Sequence, residues 1–141
     1  MSRTKSAINP LEFMALKTRV GHEKADELAL PTLLYLDSAK RGMGSLAAEN
    51  ALVRTVVIAQ VIGSKSGTRA FYDCACRAGV QLAKAAGRGA DLLALTTGEY
   101  SALRHMVASY LRILPTLQIQ MLAYSHMQAE RLIMEMAGEN I

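Results

Sequence analysis

Apolar positions recur along this chain at spacings of three and four, the period of a helix face rather than of a strand. The clearest run is Tyr100, Leu103, Met106, Val107, Tyr110, Leu111, Ile113 and Leu114, with Ser101, Arg104, His105, Ala108 and Arg112 on the other side. This predicts an amphipathic helix from 97 to about 114, opened by a Thr96–Glu99 capping box. In 47–62, Ala48, Ala51, Leu52, Thr55, Ile58, Ala59 and Ile62 keep the same period, so this β-branched stretch also reads as helix. Ser45 is its expected cap, and Lys40-Arg41-Gly42 marks the stop of the helix before it.

The remaining elements follow from punctuation. Asn9-Pro10-Leu11-Glu12 reads as a helix start, with the stop at Gly21. His22–Leu30 reads as a short helix; Pro31 forbids smooth continuation, so a second segment is expected from there to Arg41. Thr68 is the expected cap of a helix reaching about Ala86, whose Ala75, Ala78, Gly79, Ala83 and Ala86 allow close packing. Asp91–Leu95 reads as a short helical turn, and Leu114-Pro115-Thr116 breaks the chain before a last helix over 116–137. The expected fold is all-α: residues 1–8 a short basic tail, and 9–141 a single compact bundle of five to six helices.

The last helix carries two apolar stripes. Leu117, Met121, Leu122, Leu132, Ile133 and Met136 form one; Ile119, Ala123, Met127 and Met134 form the other. A peripheral helix of a monomer needs one stripe. Either this helix is central, or its second stripe meets another chain.

Composition narrows the class. The 141 residues are 51% hydrophobic and 5% aromatic, which argues against disorder and favours helix over sheet. The longest uncharged run, Ile113–Ala129, contains Pro115 and three glutamines and is short of a membrane span. Cys74 and Cys76 diverge around a helix and are poorly placed to bridge each other. No secretory pattern opens the chain. These readings predict a cytoplasmic protein with no membrane partner.

Charge adds a candidate surface. The formal net charge is +4, and between 50 and 90 Arg54, Lys65, Arg69, Arg77, Lys84 and Arg88 face only Asp73. On a 100° wheel Arg69, Asp73, Arg77, Lys84 and Arg88 fall within about 100° of one another. Lys65, Arg69, Arg77, Lys84 and Arg88 are therefore candidate contacts to nucleic acid or another anion. The plain alternative is a solvated ion-pair ladder.

Specific chemistry is sparse. Gly63-Ser-Lys-Ser-Gly67-Thr is glycine-rich, but its lysine is misplaced for a P-loop and its predecessor is helical. A looser reading keeps a helix N-terminus beside Lys65 and Arg69 as an anion site, against a simple hinge between helices. The pairs His22–Asp26 and His126–Glu130 lack the patterns of helical metal sites. His105 has Ser101 and Ser109 nearby but no carboxylate to orient it. No catalytic, cofactor-binding or metal-ligating set emerges, so a non-enzymatic protein is expected.

The pieces LPTLLYLDSAKRG (30–42) and LRILPTL (111–117) resemble a group of small all-helical proteobacterial proteins that carries no established activity. The resemblance implies a bacterial, cytoplasmic, helical protein. Taken together, the sequence predicts a protein-binding or regulatory module that self-associates through its C-terminal helix. The alternatives are a nucleic-acid-binding regulator using the basic face over 65–88 and a small-molecule-binding bundle.

Overall fold

The structure is a computed structural model; residues 18–139 are described. They form five helices: α1 (Gly21–Lys40), α2 (Leu46–Ser66), α3 (Arg69–Ala86), α4 (Thr97–Ile113) and α5 (Ile119–Glu139), with a 3-10 turn over Leu114–Thr116. The all-helical bundle is as the periodicity predicts. The tail at 1–8 and nearly all of the helix expected from Asn9 lie outside the described residues.

The bundle is built around α2, which contacts the four other helices. That position explains its composition. Leu52, Thr55, Val56, Val57, Ile58, Ala59 and Ile62 are all buried, covering most of its circumference. The helix is also long and apolar enough to cross a membrane, yet half of that span is buried among the other helices. It is the core helix of the bundle.

The caps follow the expected chemistry. Ser45 Oγ accepts the Ala48 backbone N–H at 3.1 Å. Met43 N–H donates to the Ser38 carbonyl around Gly42, whose φ of +76° closes α1. Thr96 and Glu99 form the full capping box of α4. Gly44 then pairs with Leu93 through both backbone hydrogen bonds, N–H to carbonyl each way.

Four expectations are corrected. Pro31 does not divide α1, which runs unbroken from Gly21 to Lys40; the ring lies on an exposed side of the helix, while Ala25, Ala29, Leu36 and Ala39 hold the other side in the core. Thr68 occupies the cap position of α3, but its side chain accepts no backbone N–H; its hydroxyl instead accepts a hydrogen bond from Ser66. Asp91–Leu95 is not helical, because its backbone is pinned beside Gly44 and Ala39. The last helix begins at Ile119 rather than 116, since residues 18–20 pair with 117–119 and hold that stretch extended.

The Gly63–Arg69 stretch is a packing device. A Cβ on Gly63 would stand 2.8 Å from Tyr72 Cα, so the glycine lets α2 and α3 cross in near contact. Gly67, at φ +72°, ends α2 in the left-handed conformation.

Candidate functional site

Two surfaces follow from the sequence, and the structure fixes where each residue lies. The first is the basic face. Lys65, Arg69, Arg77, Lys84 and Arg88 are all exposed. Three cations of the 50–90 stretch nevertheless carry matched charges. Arg54 binds Glu130 of α5 through two guanidinium–carboxylate contacts. Arg69 pairs with Asp73 at 3.5 Å. Arg88 lies past the end of α3 and donates to both oxygens of Glu99, at 2.6 Å each, and to the Ala94 carbonyl. Lys65, Arg77 and Lys84 enter no ion pair among the described residues. The local positive excess is thus smaller in space than along the chain.

Arg88 and Glu99 are a structural pair. The Glu99 carboxylate is buried and also accepts the Thr96 backbone N–H at 2.9 Å. The hydrogen bonds from Arg88, first, and from Thr96 hold its pKa at about 2, against the opposing pull of burial. One side chain therefore ties the α3–α4 connection to the first turn of α4.

The second surface is α5. Among the described elements α5 packs on α2 alone. The two run antiparallel, since Arg54 meets Glu130 while Lys65 lies over the Tyr124 ring. The line facing α2 is narrow: Ser125 and Ala129 are buried, with Met121, Leu122 and Ile133 half-buried. All four residues of the second stripe are exposed: Ile119, Ala123, Met127 at 62% and Met134 at 72%. Leu132 and Met136 belong to the inner stripe yet remain 41% and 45% exposed; among the described helices only α2 packs on α5. Among the described helices α5 is peripheral rather than central.

Other chemistry stays dispersed. No three His, Cys, Asp or Glu side chains converge to hold a metal ion among the described residues. Cys74 is buried and its thiol is pushed up by that burial; Cys76 is half-buried, and both are free. His105 is exposed on the polar side of α4. Burial lowers the pKa of His126, with Glu130 opposing the shift.

The sequence missed the aromatic residues beside the basic face. Tyr72 of α3 and Tyr124 of α5 flank the C-terminal end of α2 together with Lys65. They are 52 positions apart in the chain, so only the α2–α5 packing unites them.

In comparison with known proteins, no protein-family model, no curated protein and no solved structure matches the chain.

Proposed function

We propose that this chain is a non-enzymatic, protein-binding helical module that works inside the cell and self-associates through α5. One observation carries the reading: α5, which among the described helices packs on α2 alone, turns Ile119, Ala123, Met127 and Met134 to solvent and leaves Leu132 and Met136 partly open. Scattered apolar residues are ordinary on a surface, but a stripe along one helix marks a contact.

Charge favours a second copy as the occupant. Between Ile119 and Gly138 the acids and bases of α5 are matched within the chain: Glu130 by Arg54, and Arg131 by Glu135 at 3.8 Å. An identical face therefore approaches without unmatched like charges, and an antiparallel two-fold pairing centred near Met127 sets Met134 against Gln120 and Ala123 of the other copy. The contact is small. A 21-residue helix is about 31 Å long, and one face of it buries well under the roughly 800 Å² per partner of a standard interface. Micromolar rather than nanomolar association is expected.

Sedimentation or light scattering from about 5 to 200 µM tests this. The mass should climb from 15.3 kDa toward twice that value with concentration. Met127→Glu with Met134→Glu should hold it at the monomer. A wild-type monomer throughout overturns the reading, as does association that the double variant leaves intact.

A further inference from the structure

We propose a second site: the trough between α3 and α5, across the C-terminal end of α2, binds a nucleotide unit through its base and phosphate. A hollow of about 270 Å³ there is lined by Gln60, Ser64, Lys65, Tyr72, Tyr124 and Gln128, among others. Two further hollows share its walls. One, of about 280 Å³, adds Arg69 beside Ser64 and Tyr72; the other, of about 390 Å³, adds Gln118 and Gln120 beside Lys65 and Tyr124. The three form one run around the end of α2.

Their composition points to the ligand. No carboxylate lines any of the three hollows. Asp73 is tied to Arg69 and lies outside the lining. The Lys65 ammonium lies 5.1 Å from the centre of the Tyr124 ring, so a cation and an aromatic face meet at one point. That is the combination a phosphate and its base require: positive charge for the backbone and a π-surface for stacking. The glutamine amides offer both donors and acceptors to base edges, and Ser64 offers a hydroxyl. An inorganic anion would use the cations but leave two tyrosines and four glutamines without a role. An apolar ligand would leave the amides and Lys65 unsatisfied.

The trough does not rest on self-association. On a 100° wheel Tyr124 stands about 60° from Met127 and 80° from Met134, and Gln128 about 100° and 120° from them, while Gln60, Ser64, Lys65 and Tyr72 come from α2 and α3.

Fluorescence anisotropy with labelled twelve-residue single strands of DNA and of RNA tests the site, with AMP and UMP as competitors and the matching duplex as a comparison. The single strand should bind, and salt should weaken the binding. Lys65→Gln and Tyr124→Leu should each weaken it about tenfold, the loss of one charge or one stacking face. Lys84→Gln removes an equal charge from α3 outside the trough and should change it less than twofold. Lys65 is exposed, so its variant reports on the site even where Tyr124→Leu fails a circular-dichroism check of folding. A mononucleotide that competes as well as the strand assigns the site to free nucleotides; one that competes poorly assigns it to a strand. Duplex binding equal to single-strand binding, or Lys84→Gln as harmful as Lys65→Gln, reduces the effect to general basic charge and overturns the proposal. Absence of binding by strand and mononucleotide alike also overturns it.

Discussion

Gly63 shows how much one missing methyl group decides. It lies within α2, where glycine costs about 1 kcal/mol of helix propensity relative to alanine. The close backbone of Tyr72 explains the choice. Gly63→Ala should therefore destabilise the protein by about 1–3 kcal/mol, as overpacking does, despite the gain in propensity. Gly98→Ala, with open space around the new methyl, should stay within about 0.5 kcal/mol. Urea unfolding of the two variants separates close packing from a general preference for glycine. Glu99 makes the same point for charge. Its folded pKa of about 2 lies below the ordinary carboxylate value, so its contribution is complete above pH 5 and is lost as pH falls toward 2. Glu99→Gln should cost on the order of 1–3 kcal/mol at pH 7 and flatten the stability profile between about pH 4.5 and 2. Thermal melts at pH 7 and pH 3 give both numbers.

At the scale of elements, α1 and α5 show opposite relations between pattern and packing. Pro31 looks like a boundary, yet α1 continues through it because the contacts of Ala25, Ala29, Leu36 and Ala39 outweigh one lost backbone hydrogen bond. Pro31→Ala should leave the helix content unchanged by circular dichroism and stabilise the fold by on the order of 1 kcal/mol. α5 has no proline problem, but among the described helices it packs on α2 alone. Its last turns, from Arg131 onward, contain no buried residue through Gly138. Amide hydrogen exchange should be fastest there among the described helices, and slowest in α2, which the four others surround. Dilution to the monomer should speed exchange in α5 more than in α2 when self-association covers the outer stripe. Equal change in both helices would place the contact elsewhere.

For the molecule as a whole, the arrangement around α2 creates both surfaces. One flank of α5 closes the trough with α3, while its outer side remains uncovered. The same arrangement redistributes charge. Arg54 and Arg88 look unbalanced in sequence because their carboxylates, Glu130 and Glu99, stand 76 and 11 positions away. The fold brings each to its partner. What is left, Lys65, Arg77 and Lys84, is a sparser basic surface than the linear count suggests. Salt dependence should follow that smaller number: strand binding through the trough should fall with salt by a slope of about one or two charges, not five. A titration of affinity between about 50 and 200 mM salt measures it.

The sequence by itself determined the helical class, the caps at Ser45 and Thr96, the ends near Lys40 and Ala86, and the two-sided apolar character of the last helix. These depend on neighbours within one or two turns, and local hydrogen bonds and a 3.6-residue period record such relations directly. Only the tertiary structure decided which helix is central, which cations are matched, and that Tyr72 and Tyr124 share a trough with Lys65. Each of those depends on residues far apart in the chain, and on an order of packing around α2 that no local period encodes. The glycine-rich stretch needed both. Its helical period was legible, but the close approach of Tyr72 that makes Gly63 necessary exists only once α3 has folded back onto α2.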